Sequence, residues 1–175
     1  MEKLFSEKEI FTKARPLKLP DSEAEKFYRK MAKEIIDNDW SKSDLENIVN
    51  DLKELKSWRS GFECAKELDE SYSEYDINSE FVAWLEDFGW QKDEALNQIV
   101  KQWVSIHNPQ PIFPMGSKLF VGVSLNSKIL TGQIIWITGI KWETAEYLYW
   151  DEEKHNGGYV AAYEKIEGSC RIIEN

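Results

Sequence analysis

Residues 107–114, His-Asn-Pro-Gln-Pro-Ile-Phe-Pro, hold three of the five prolines in the 175-residue chain and separate two stretches of different hydrophobic period. Proline fixes its own φ, lacks an N–H and pushes the preceding residue toward extended backbone, so no regular helix runs through this segment. Upstream, apolar residues recur at helical spacing. After a short candidate helix over Leu4 to Ala14, Ser22-Glu-Ala-Glu25 has capping-box form and introduces Phe27, Met31, Ile35 and Ile36. A second capping signal, Ser41-Lys-Ser-Asp44, precedes Leu45, Ile48, Val49, Leu52 and Leu55, and Trp58-Arg-Ser-Gly61 is expected to break or bend the next helix, which continues with Phe62, Ala65 and Leu68. Phe81, Trp84, Leu85 and Phe88 predict a helix ending near Gly89, and Leu96, Ile99, Val100 and Trp103 predict another, the two forming a hairpin.

Downstream the period shortens. Residues 118–123, 128–140, 145–151, 158–163 and 170–173 are rich in Val, Ile, Tyr and Trp and are separated by Gly, Asn, Ser or charged residues. Five short strands bury their apolar side only by curling into a small barrel or by packing on the helical part. The order Gly116-x-Lys-x-Phe-Val121, Gly132-Gln-Ile-Ile-Trp-Ile137, Tyr147-Leu-Tyr-Trp-Asp151 and Tyr159-Val-Ala-Ala-Tyr-Glu-Lys-Ile166 resembles the Tudor and SH3-like small-barrel families. The expectation is therefore an α+β chain: a helical domain over 1–107, a proline-rich connection over 108–115, and a five-stranded antiparallel SH3/Tudor-like barrel over 116–175. The resemblance implies peptide recognition, in some members through an aromatic cage for methylated lysine or arginine, with Trp136, Trp142, Tyr149, Trp150 and Tyr163 as candidate walls.

The stretch 147–163, YLYWDEEKHNGGYVAAY, places one of the two histidines among acids. A two-residue turn at Asn156-Gly157 pairs Lys154 with Tyr159, Glu152 with Ala161 and Trp150 with Tyr163, which makes the stretch a hairpin with His155 beside its turn. Side chains alternate along a strand, so Glu152 and Glu153 do not both converge with His155 on one ion, and no metal site is expected. Either Tyr147 and Tyr149 or Leu148 and Trp150 face the core. Glu152-x-Lys154 is also the last element of some metal-dependent nuclease motifs, but an acidic chain repels the phosphates that such a site must hold.

Cys64 and Cys170 are the only cysteines and carry no local nucleophile signature; both are expected as structural thiols. Phosphate-binding glycine loops, Gly-x-Ser-x-Gly, His-Glu-x-x-His and EF-hand patterns are absent, so the sequence names no catalytic residue and no cofactor. The N-terminal MEKLFSEKEIF lacks a signal-peptide pattern and no apolar run reaches membrane-spanning length, which predicts a cytoplasmic protein without membrane contact.

Charge is the strongest anomaly. The chain carries 32 acids against 22 Lys and Arg, a formal charge of −10. Residues 63–94 hold eleven of the acids with only Lys66 and Lys92. A solvated helix face is the commonest role of such a run. Here, however, Tyr72 and Tyr75 are interleaved with Glu63, Glu67, Asp69, Glu70, Glu74, Asp76 and Glu80, which combines carboxylates with aromatic anchors suited to a basic protein surface. By charge analogy the expected function is non-enzymatic protein binding, as an acidic inhibitor or decoy (a DNA mimic) of a nucleic-acid-handling protein, of the immunity or phage counter-defence type. Direct nucleic-acid binding is disfavoured by the same charge. The alternative places recognition on the barrel, through Trp136, Trp142 and Trp150. An enzyme without a recognisable motif is the third reading. Aromatics on the surface would equally serve a self-interface, so the oligomeric state stays open.

Overall fold

A computed structural model describes residues 14–56, 60–71, 74–152 and 158–173, and divides the chain into two compact units, Met1–Ile99 and Val100–Asn175. It is an α+β protein, with five α-helices and one five-stranded antiparallel sheet among the described residues. The expected helix over 4–14 lies almost wholly outside the described residues, as does Trp58. Among the described residues no helix is long and apolar enough to cross a membrane.

The first unit is built from α1 (Asp21–Asp37), α2 (Leu45–Glu54), α3 (Gly61–Ser71) and most of α4 (Ser79–His107). Helix α1 begins one residue before Ser22: Pro20 occupies the cap and its carbonyl accepts from Glu23 and Ala24 N–H at 2.9 and 2.8 Å. At α2 the capping residue is Asp44, whose carboxylate accepts from Asn47 N–H at 3.0 Å. Met31, Ala32, Ile35, Ile48, Val49, Leu52, Leu68, Phe81 and Phe88 are completely buried, and each large side chain among them contributes about 1.5–3 kcal/mol through removal from water. Ile36, expected in this core, lies at the edge of its stripe and faces solvent instead, and on α3 Phe62 is 65% exposed.

The expected hairpin at Gly89 does not form. Helix α4 runs 29 residues without interruption. An isolated glycine costs a helix only about 1 kcal/mol, and the buried stripe of Phe81, Leu85 and Phe88 resumes at Ile99 after Lys92 fills the intervening position with its ammonium 5.5 Å from the Tyr28 ring centre. A lysine whose ammonium lies over an aromatic ring hides the continuity of the stripe.

Helices α3 and α4 meet at Gly61. A β-carbon there would lie 2.3 Å from the Val82 carbonyl oxygen and 2.5 Å from Glu86 N, while the Gly61 N–H donates to Glu86 Oε2 at 2.5 Å. Both obstructing atoms are helix backbone, so the contact relaxes only by moving one helix. Gly61→Ala is expected to destabilise the protein by roughly 1–3 kcal/mol despite alanine's better helix propensity, measured by urea denaturation.

In the second unit, β1 (Lys118–Val121), β2 (Ile134–Lys141), β3 (Glu146–Asp151), β4 (Tyr159–Ala162) and β5 (Cys170–Ile172) form one sheet in the order β4-β3-β2-β1-β5. Among the described residues no pairing joins β4 to β5, so the sheet is open. Helix α5 (Tyr163–Ser169), which starts where the expected strand over 158–163 ends, carries the chain from one edge to the other. The expected strand over 128–140 begins at Ile134 because Asn126 Oδ1 accepts from Lys128 and Ile129 N–H at 2.8 and 2.9 Å and holds a turn before it. Leu119, Val121, Ile135, Ile137, Tyr147 and Tyr149 are buried together with Trp103 and Phe113, whereas Phe120, Trp136, Leu148 and Trp150 point the other way and are half-buried.

Tyr147 and Tyr149 are thus the inward pair. The register of β3 with β4 also differs from the expected one: Tyr149 faces Tyr159, Tyr147 faces Ala161, and Trp150 pairs with Trp136 on β2. Directly opposed residues lie on the same face of a sheet. Trp150 points outward and Tyr163 is buried at 4.7 Å from the Tyr147 ring, so the expected Trp150–Tyr163 pair would have placed one of them on the wrong side. The expected turn at Asn156-Gly157, with His155, lies outside the described residues.

One hydroxyl ties the proline-rich segment to this sheet. Tyr147 Oη accepts from Phe113 N–H at 3.0 Å and donates to Glu167 Oε1 at 2.8 Å, and the same carboxylate oxygen accepts from Ile112 N–H at 3.0 Å. The neighbouring Tyr163 hydroxyl is buried and has no hydrogen-bond partner among the described residues. Burial pushes the Tyr147 hydroxyl well above the usual phenol range and the Tyr163 hydroxyl in the same direction. A phenol whose folded value is raised supports the fold fully below about pH 10 and loses that support as the pH climbs past it. Tyr147→Phe is expected to cost about 1–3 kcal/mol, because it strands the Phe113 N–H, whereas Tyr163→Phe is expected to be neutral or stabilising and to make alkaline unfolding less steep. Thermal denaturation at neutral and alkaline pH distinguishes the two.

Candidate functional site

The acids that the sequence singles out are distributed by the helix period. On α3 the buried side is Cys64, Ala65 and Leu68, which leaves Glu63, Asp69 and Glu70 exposed on the other. Glu67 is half-buried and both its oxygens accept from Lys56 N–H at 3.2 Å, so it holds the chain after α2. Lys66 lies 3.7 Å from Glu70, an exposed i,i+4 pair. Glu80 is exposed in the first turn of α4, where Asn78 Oδ1 accepts from its N–H at 3.1 Å.

Glu74 and Asp76 lie between α3 and α4 and are drawn toward the chain after α1. Ser41 and Tyr75 form an isolated antiparallel bridge, and Asp76 N–H donates to the Trp40 carbonyl at 2.9 Å. The result is a cleft of about 610 Å³ lined by Asp39, Trp40, Ser41, Lys42, Glu74, Tyr75 and Asp76. Three carboxylates therefore edge it against one ammonium. Ser43 Oγ donates to Glu74, while the Asp39 and Asp76 carboxylates form no ion pair among the described residues. Asp39 was not among the expected site residues; it sits outside the acidic run and only the Ser41–Tyr75 bridge brings it there. Its φ of +57° is a left-handed conformation that asparagine and aspartate adopt more readily than most residues.

Tyr75 is less an exposed anchor than a structural wall. Its ring stacks on Phe81 with centroids 5.9 Å apart and planes 6° apart, and its hydroxyl donates to Asp51 Oδ2 at 2.8 Å. Burial raises the Asp51 carboxyl above its usual value, and that hydrogen bond partly offsets the rise. Tyr72 lies outside the described residues.

The candidate cage residues do not converge. Tyr149 and Tyr163 are buried in the sheet's core, and Trp142, 56% exposed, lies in a 3-10 turn beyond the end of β2. That places it on the order of 15–20 Å along the strand from Trp136. Trp136 and Trp150 are adjacent across β2 and β3 on the outward face, where the Lys118 ammonium sits 5.0 Å from the Trp136 ring and 3.0 Å from Glu152 Oε1. Glu152 is thus engaged by Lys118; Lys154 lies outside the described residues. No group of three or more His, Cys, Asp or Glu side chains among the described residues is placed to hold a metal ion.

Burial pushes the Cys64 thiol up to about 11, helped by the nearby carboxylates of Glu67 and Glu86, and burial alone pushes Cys170 up to about 11. Only about a thousandth of either thiol is then ionised at pH 8, and the thiolate is the reactive form. Both cysteines are expected to react with dithionitrobenzoate far more slowly in the native protein than in denaturant, Cys64 the slower of the two because it is 1% exposed.

Protein-family models, curated proteins and solved structures were each compared with the chain, and none matches it.

Proposed function

We propose that the protein is a non-enzymatic binder that sequesters or inhibits a basic, nucleic-acid-handling protein in the cytoplasm through the acidic surface of its helical unit. The observation that carries this reading is the cleft edged by Asp39, Glu74 and Asp76, with Glu63, Asp69, Glu70 and Glu80 exposed on the flanking helices. Carboxylates on backbone that the Ser41–Tyr75 bridge and the flanking helices already order replace a run of phosphates without the entropy cost of ordering a flexible chain. Their summed field steers a cationic partner into encounter, and the attraction is screened over a Debye length of about 8 Å at physiological salt.

The reading is tested by using the chain as bait in host extract and assaying the retained protein for nucleic-acid binding. The expected partner is basic, is released by raised salt, and loses nucleic acid as the chain is added. Charge reversal is best confined to exposed carboxylates that accept from no backbone N–H or hydroxyl among the described residues. Glu63→Lys, Asp69→Lys, Glu70→Lys and Asp76→Lys combined are expected to weaken binding by about a hundredfold or more while the circular dichroism spectrum is retained, whereas Glu67 and Glu74 hold Lys56 N–H and Ser43 Oγ and are left intact. Unchanged affinity in the quadruple variant would sink the reading. Loss of binding in Trp136→Ala or Trp150→Ala instead would move recognition to the outward face of the sheet, as the barrel resemblance implies.

A further inference from the structure

Trp90 is 68% exposed in the middle of a helix whose buried residues, Phe81, Leu85 and Phe88, lie on the opposite side. On a helical surface the neighbours of a residue are those three and four positions away. For Trp90 these are Glu86, Asp87, Asp93 and Glu94, so every nearest helical neighbour of the indole is a carboxylate. Lys92 is two positions away and turned toward Tyr28, with its ammonium 5.5 Å from that ring. Glu86 is fixed by the Gly61 N–H and Glu94 accepts from Gln98 Nε2, both at 2.5 Å, while Asp87 and Asp93 form no ion pair among the described residues.

A second exposed aromatic stands close by. Phe62 follows Gly61, which touches the Glu86 backbone, and Trp90 is one helical turn beyond Glu86. The Cα step, the close contact at Gly61 and one helical turn hold the Cα atoms of the two residues within about 14 Å of each other.

An indole that is 68% exposed leaves most of its apolar surface in water. Trp is the residue type that most often carries binding energy when it enters a desolvated pocket, and a rim of charge around such an anchor sets the sign of the surface it fits. We propose that Trp90 is the anchor of an interaction surface, with Phe62 beside it, and that its partner is a protein presenting an apolar pocket edged by lysine or arginine. A single-stranded nucleic-acid groove has this chemistry, since it stacks bases on apolar or aromatic platforms between cationic walls. The indole takes the place of the base and Asp87 and Asp93 the place of phosphates. This inference rests on the reading of the helical unit as a binder of basic proteins and adds which residue enters the partner.

The test uses the whole chain and a synthetic amphipathic helix made of lysine and leucine, titrated calorimetrically, with glutamate–leucine and all-lysine peptides as controls. The lysine–leucine peptide is expected to bind, more weakly as salt rises. Trp90→Ala is expected to lower its affinity at least about 30-fold, as for an interfacial hot spot, with Trp90→Phe restoring most of it and the all-lysine peptide unaffected. Because Trp90 is exposed, the thermal midpoint of both variants is expected to match the parent. Failure of the parent to bind the lysine–leucine peptide, equal binding of the glutamate–leucine peptide, or unchanged affinity in Trp90→Ala each overturns the inference. If Trp90→Ala changes nothing while reversal of Glu63, Asp69, Glu70 and Asp76 abolishes capture of the basic protein, the anchor is refuted and the broader reading stands; the opposite pattern refutes the cleft.

Discussion

A continuous chain of aromatic contacts holds the helical unit in register. Tyr75 stacks on Phe81, Phe81 meets Trp40 and Trp84, Trp84 meets Phe88, and Phe88 meets Phe27, which meets Tyr28, with neighbouring centroids 5.2–5.9 Å apart. These rings come from α1, the chain after it, the segment before α4, and α4 itself. Each such pair adds about 0.5–1.5 kcal/mol beyond the area it buries. The polar ends are satisfied as well: Trp84 Nε1 donates to Glu34 and the Tyr75 hydroxyl to Asp51. The cleft is a direct consequence. Trp40 and Tyr75 are ring members, and their chain neighbours Asp39, Glu74 and Asp76 are carried to one place because the rings are.

The acidic surface is therefore a by-product of how an apolar core closes, with division of labour among residues of the same charge. Glu67 and Glu86 spend their oxygens on backbone N–H groups at the ends of segments, which is why neither is simply a surface charge. Asp76, Asp87 and Asp93 have no such duty among the described residues. Carboxylates left without an internal cation raise the self-repulsion of the folded state and are compensated only by solvent or by a partner. The same unit leaves Phe62 and Trp90 in water beside them, so apolar and anionic groups of the surface coincide.

In the sheet unit the equivalent organising contact is the Tyr147 hydroxyl, which joins the proline-rich segment, β3 and α5 through Phe113 and Glu167. It explains why a segment that cannot form helix or central strand is still part of the core: Phe113 is buried against the sheet and its N–H has a partner. The open order of the strands leaves Phe120, Trp136 and Trp150 half-buried on the outward face, where Lys118 and Arg171 lie over the Trp136 and Phe120 rings. These cations lower the cost of exposing aromatic faces. They also occupy rings that an aromatic cage would offer to a ligand.

Periodicity alone was enough to establish the α+β division, four of the strand positions, the inward stripes of α1 and α2, and the acidity of 63–94, because each is a local pattern that burial of one face imposes. The capping signal at residues 41–44 was enough to place the start of α2, whereas the turn held by Asn126, which delays β2 to Ile134, was not read from the sequence. The remaining features depend on partners distant in the chain. Gly89 looks like a stop until Lys92 is placed with its ammonium over the Tyr28 ring; the strand register depends on which face Tyr163 takes; and Asp39 joins Glu74 and Asp76 only through the bridge between Ser41 and Tyr75. Trp90 shows the same division in a single residue. Its four carboxylate neighbours are legible from spacing, but whether an apolar residue on an amphipathic helix faces the core or the solvent is decided by what packs against the helix, and only the folded core places the indole outside it.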